Sequence, residues 1–218
     1  RGWAGNTVRA HGWRTDAPGE ARRLIAAATH HRLGAWITTS LGLGLRLGET
    51  SGLTWDDIDL ERALVVVHRS LAWTTDGPTL KATKTKTPRT LALPDQVTDA
   101  LTAHRRRQNE ERLLLGHEWP AKWDGLVFRT ARGTPLDRAN IRRMLRTLTG
   151  DAGIEGHLTA YDLRHSATSL FSAAGAIPEE LADLLGHKHT RMVFRHYRHP
   201  VTPSRRTAAD YLDRALGE

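Results

Sequence analysis

Apolar residues at Ala21, Leu24, Ile25 and Ala28 recur at the spacing of an amphipathic helix, so residues 19–32 are expected to be helical. A second helix is expected over 33–43. Gly42, Gly44 and Gly48 weaken its end and predict a turn around Arg46, followed by a short helix over 48–53. The texture changes at Ala63. Residues 64–68 centre on three β-branched valines, 79–87 alternate Lys and Thr, and 89–93 alternate again, which predicts a small antiparallel sheet. Pro94 opens a long helix to about Leu115, and 126–129 read as a short strand before a turn at 132–135. Asp137 is a good N-cap for a helix over 138–148. Further helices are expected over 160–174, 178–185, 190–197 and 204–216, with Pro178 at a first helical position where its missing N–H costs nothing. Residues 1–17 lack periodicity and read as a linker or strap. The expected fold is mainly α with a small antiparallel β-sheet (α+β), formed by one domain over residues 18–218.

Composition narrows the function classes. Lys and Arg number 32 against 24 Asp and Glu, a formal charge of +8 that favours a polyanionic partner. Lysine occurs only at positions 81, 84, 86, 122 and 188, so most of this charge is on planar guanidinium forks suited to phosphate oxygens. The absence of cysteine excludes disulfides and thiolate metal sites. The longest apolar-leaning uncharged stretch, 33–45, is too short to span a bilayer, and residues 1–10 lack the apolar segment of a secretory leader. The expected location is the cytoplasm, without membrane contact.

The chain has no Gly-x-Ser-x-Gly elbow, no glycine-rich phosphate loop and no His-Glu-x-x-His. What stands out is Tyr161-Asp162-Leu163-Arg164-His165, then Leu185-Gly186-His187, then Tyr197. Upstream lie Gly44-Leu45-Arg46-Leu47-Gly48-Glu49, with Leu53-Thr54-Trp55-Asp56-Asp57 behind it, and Lys84-Thr85 before Arg89-Thr90-Leu91-Ala92-Leu93-Pro94. In this order and at these intervals, the segments resemble the motifs of the tyrosine recombinase, or phage integrase, catalytic domain.

The resemblance implies a metal-independent and cofactor-independent cleavage and rejoining of duplex DNA. Arg46 and Arg164 are its implied phosphate-binding arginines, and Tyr197 its nucleophile, forming a 3′-phosphotyrosyl link. Lys84 is the implied general acid, with Lys86 the alternative. His187 donates to the phosphate, Tyr161 lines the site, Glu49 buttresses the arginines and His165 supports the fold. Physical chemistry agrees with these roles. A phosphodiester under attack gathers charge on its non-bridging oxygens, and two guanidiniums hold those oxygens more strongly as charge builds. A free tyrosine, with pKa about 10, is about a thousandth phenolate at neutral pH, so neighbouring groups must favour its proton loss.

Each residue also has a plainer reading. Arg46 could be a surface arginine after a glycine turn, and Arg164 could pair with Asp162 or Asp183 on helical surfaces. Tyr197 could be a core tyrosine, and His187 a helix C-terminal cap. The ordered combination favours the catalytic reading. One departure matters: Tyr161 stands where the family usually carries histidine, and a phenol is a poor base near neutral pH. His187, His189, His196 and His199 invite a metal reading, but their spacing matches no standard zinc pattern. The apolar face of Ala208, Tyr211, Leu212, Ala215 and Leu216 either packs on its own domain or docks on a neighbouring protomer.

Further expectations follow from the resemblance: a monomer off DNA, a homotetramer on paired sites, and N-terminal DNA-binding domains outside this chain. The rival is a non-catalytic DNA-binding accessory protein on the same fold. A type IB topoisomerase-like activity is disfavoured by the spelling Leu185-Gly186-His187.

Overall fold

A computed structural model describes residues 17–84 and 87–186, together with Asp213 and Leu216. Helix α2 (Gly34–Leu43) is its centre: all ten residues are buried, as expected of a helix whose apolar and small residues cover every side. Around it pack α1 (Ala17–Ala28), α3 (Leu47–Ser51), α4 (Asp95–Leu115) and α6 (Ala160–Ala173). α5 (Arg138–Asp151) lies against α1 and α6, and α7 (Pro178–Leu185) against α6. One cluster of buried side chains joins Leu24, Trp36, Ile37, Leu41, Val97, Leu101, Phe128 and Leu145. A second joins Ala167, Leu170, Phe171, Leu181 and Leu184.

The strands form two small sheets. β1 (Ile58–Asp59), β2 (Leu64–Val67) and β5 (Arg89–Ala92) make an antiparallel sheet in the order β1-β2-β5, with Val65 opposite Leu91 and Val67 opposite Arg89. Along β2, Val65 and Val67 are buried while Leu64 and Val66 face outward, the two-residue alternation of a half-covered strand. β3 (Arg69–Thr74) pairs with β4 (Gly77–Ala82) as a separate hairpin, closed by Thr75 and Asp76 with Gly77 at φ +99°. The mainly α fold with a small antiparallel sheet is thus as expected.

Three local expectations need correction. Of the Lys/Thr alternation over 79–87, strand is assigned as far as Ala82; the Thr83 N–H still donates to the His68 carbonyl facing it, and Thr85 and Lys86 lie outside the described residues. β3 itself was not foreseen; its partner strand and the Asp76-Gly77 turn organise it. Residues 126–129 form isolated bridges rather than a strand, Leu126 with Thr54 and Arg129 with Pro135. Their carbonyls go to α4 instead: His104 Nε2 bonds the Val127 oxygen at 2.9 Å, and Gln108 Nε2 donates to the same oxygen at 2.7 Å. The helices expected over 190–197 and 204–216 lie almost wholly outside the described residues. Of these, Asp213 and Leu216 are helical and Leu216 is buried in the second cluster.

α2 ends at Gly44, whose φ of +58° is the left-handed cap conformation that glycine adopts without strain. A Cβ on Gly44 would come within 2.9 Å of Leu185 Cδ2. Gly44→Ala is therefore expected to lose about 1–2 kcal/mol from the conformation alone, and more from displacing α7. A thermal melt checks this, and an unchanged melting point would contradict it.

Candidate active site

Arg46 follows the Gly44 turn and serves as the extended N-cap of α3. Glu49, at the third position of that helix, accepts the Arg46 backbone N–H at 3.1 Å and its Nη1 at 2.7 Å. A carboxylate at this position is doubly favoured, by the orphan N–H groups and by the positive end of the helix. The same carboxylate accepts from Arg89 Nη2 at 2.7 Å and lies 3.9 Å from Arg164 Nη1. Three guanidiniums thus converge on one carboxylate that is only 1% exposed. Burial alone would raise the Glu49 pKa, but hydrogen bonding and charge from Arg89, then Arg46, override it and hold the group below its ordinary value.

Arg164 is brought in by α6, whose first turn is set by Thr159. The Thr159 Oγ1 accepts from the Asp162 N–H, and the Asp162 carboxylate accepts from the Thr159 N–H and hydroxyl. This reciprocal cap engages Asp162 with Thr159, so Arg164 turns elsewhere. Its Nη1 donates to the Gly44 carbonyl at 2.7 Å and its Nη2 to the Leu185 carbonyl at 2.8 Å. Both acceptors sit at helix C-termini, where carbonyls lack intrahelical partners and the dipole favours a cation. Burial, followed by repulsion from Arg46, lowers the Arg164 pKa to about 10, and Glu49 opposes the shift. The guanidinium stays charged at neutral pH.

Tyr161 stands one turn before Arg164 in α6 and is 74% exposed. Its ring is therefore presented to solvent and not spent on the core. His165 is half-buried on α6, and its carbonyl accepts from the Ser169 hydroxyl. Lys84 is exposed in the turn after β4, outside the hydrogen-bonded arginine group. Lys86, His187 and Tyr197 lie outside the described residues, as do His189, His196 and His199. Among the described residues, no group of three His, Asp or Glu side chains could hold a metal ion, and no helix is long and apolar enough to cross a membrane.

The structure therefore brings Arg46, Glu49 and Arg164 together, beside Tyr161. It adds one residue that sequence reasoning missed as part of the site, Arg89. A signal for it existed: Arg89 alternates in phase with Leu91 and the buried Leu93, so an inward arginine required a buried partner. A second cationic surface lies on α5, where Ile141, Met144, Leu145 and Leu148 are buried and Arg138, Arg142, Arg143 and Arg146 are exposed. Chemically, the cluster can bind an oxyanion and stabilise added negative charge on it.

Comparison with known proteins follows the same lines. The model of the phage integrase family matches residues 17–202. An integrase from Streptomyces ambofaciens is 36% identical over 205 residues, covering 89% of this chain and 51% of the relative. A tyrosine recombinase XerC-like protein from Caldanaerobacter subterraneus subsp. tengcongensis is 31% identical over 206 residues, covering 89% of this chain and 52% of the relative. The chain thus spans about half the length of the curated relatives it matches. Among solved structures, the Tn1549 transposon integrase in complex with transposon right end DNA superposes with a TM-score of 0.73 at 20% identity, over 91% of this chain and 65% of that one. The XerA recombinase superposes at 0.66 with 22% identity, over 87% of this chain and 62% of that one.

Proposed function

The chain belongs to the phage integrase family, and from that premise we propose that it is the catalytic domain of a site-specific recombinase acting on duplex DNA. The observation that carries the reading is the convergence of Arg46, Arg89 and Arg164 on the buried Glu49 carboxylate. A phosphodiester placed against Arg46 and Arg164 meets fixed cations where its non-bridging oxygens gain charge. Tyr197 attacks the phosphorus, its phenol proton passes to water, the P–O bond to the 5′-oxygen breaks, and a 3′-phosphotyrosyl link forms. Lys84, or Lys86, gives a proton to the departing 5′-oxygen. His187 and Tyr161 donate hydrogen bonds to the phosphate. Attack by the 5′-hydroxyl of a second strand reverses the step and completes the exchange. The guanidiniums supply the charge compensation, so cleavage proceeds in EDTA and without a cofactor.

Assembly as a homotetramer on paired sites from monomers in solution fits a reaction that exchanges strands between two duplexes, and the bacterial cytoplasm, at the nucleoid, is where such DNA lies. Residues 18–218 form the catalytic unit, and DNA-binding domains N-terminal to it complete the grip. The exposed arginines of α5 form part of that grip. Replacing Arg142 and Arg146 together by alanine is expected to weaken binding across DNA sequences and to lower the slope of log affinity against log salt by about one per arginine. Titrations at several salt concentrations check this, and an unaltered slope would remove α5 from the interface.

The reading is tested by incubating the protein with a nicked suicide duplex carrying its site, in EDTA, and resolving the products on a denaturing gel. A covalent complex that disappears in Tyr197→Phe is the expected result. No complex, with the N-terminal domains present, would support a non-catalytic accessory protein instead and make Tyr161→His the first reversion to try.

A further inference from the structure

We propose that Arg89 is a positioning residue for DNA cleavage, tying the strand after the lysine-bearing turn to Glu49 and to the end of α7, so that the arginine pair and the turn into His187 share one frame. The proposal rests on the recombinase reading above. Arg89 is the first residue of β5, in register with Val67, and its side chain is 10% exposed. Both terminal nitrogens face the Glu49 carboxylate, Nη2 to Oε2 at 2.7 Å and Nη1 to Oε1 at 3.5 Å, while Nε donates to the Leu184 carbonyl at 3.0 Å. The adjacent carbonyl, Leu185, is held by Arg164. The last turn of α7 is thus gripped by two arginines from different elements immediately before the chain passes through Gly186 towards His187.

Gly186 shows how closely this joint is fitted. Its φ is +62°, and a Cβ there would lie 3.1 Å from Arg89 Nη1 and 3.4 Å from Cζ. Arginine suits the position for a reason lysine cannot meet: one planar group reaches a carboxylate and a carbonyl in different directions. Arg89 also settles a competition at Glu49 Oε2. Arg164 Nη1 lies 3.9 Å from that oxygen while bonded to Gly44. Without Arg89, the vacated carboxylate oxygen draws the Arg164 guanidinium away from the Gly44 and Leu185 carbonyls that orient it. The charged groups facing Glu49 are Arg46, Arg89 and Arg164.

Single-turnover cleavage of a suicide duplex is measured at saturating protein for the parent, Arg89→Ala and Arg89→Lys, across a pH series, with DNA affinity and thermal melts recorded alongside. Arg89→Ala is expected to cleave roughly 10²-fold more slowly, the scale of a misplaced reacting group, with affinity and its salt dependence unchanged. Its pH profile gains an acid limb that the parent lacks. Burial still penalises the Glu49 carboxylate, while the largest contribution opposing that penalty is gone. Arg89→Lys restores the charge, and with it the parental acid side, but recovers only part of the rate. A rate loss that follows only the loss of folded protein, with the parental pH profile, would overturn the proposal. So would a parental rate in Arg89→Ala, or a loss confined to DNA affinity. A parent that forms no covalent complex with the N-terminal domains present fails at the baseline; that outcome refutes the recombinase reading first, and the proposal with it.

Discussion

A Glu49→Gln protein is expected to melt on the order of 10 °C below the parent, corresponding to about 3–5 kcal/mol for removing the charge of a buried carboxylate with cationic partners. The size of the effect follows from the number of groups left behind. Arg46, Arg89 and Arg164 remain crowded with no counter-charge, and the amide that replaces one oxygen points N–H groups at guanidinium donors. The pH dependence has a defined sign. Glu49 is held below the ordinary glutamate value in the folded state, so its stabilisation is fully present above that value and is lost as pH falls through the lower, folded one. The gap in melting temperature between parent and variant should be widest near neutrality and close in acid. Melting curves over a pH series check both, and a gap that widens in acid would contradict the assignment of Glu49 as the charged hub.

Arg164→Lys is expected to lower single-turnover cleavage by about 10²–10³-fold, the scale for removing one donor that meets developing charge. Charge is retained in this variant, so DNA affinity should change little. What is lost is the fork. The guanidinium reaches the Gly44 and Leu185 carbonyls together, bridging the ends of α2 and α7, whereas a single ammonium cannot hold that planar arrangement. A variant that binds DNA and cleaves at the parental rate would show that cleavage does not need the Arg164 fork and leave Arg46 as the phosphate ligand.

Much of the architecture was legible because its cause is local. The Ala21, Leu24, Ile25 and Ala28 spacing, the Asp137 cap and the proline at position 178 each specify a helix that the structure contains, with ends moved by a few residues. Residues 126–129 were misread as a strand because their partners, His104 and Gln108, come from a helix distant in sequence. Within the site, Glu49 was legible as a first-turn acid three residues after Arg46, but Arg89 and Arg164 come from β5 and α6 and meet it only in the folded chain. Arg89 escaped notice for the same reason, since strand periodicity says that it points inward but not what it meets there. Arg164 was readable as functional from the motif. That its hydrogen bonds would go to two helix ends, and not to Asp162 or Asp183, depends on tertiary packing.

That the arginine cluster serves a phosphodiester attacked by Tyr197 is tested by digesting the gel-purified covalent complex, formed in EDTA, and identifying the peptide bearing the nucleotide by mass spectrometry. The expected result is a phosphodiester to Tyr197 and to no other residue. Attachment at Tyr161, at Tyr211 or at a serine would contradict it.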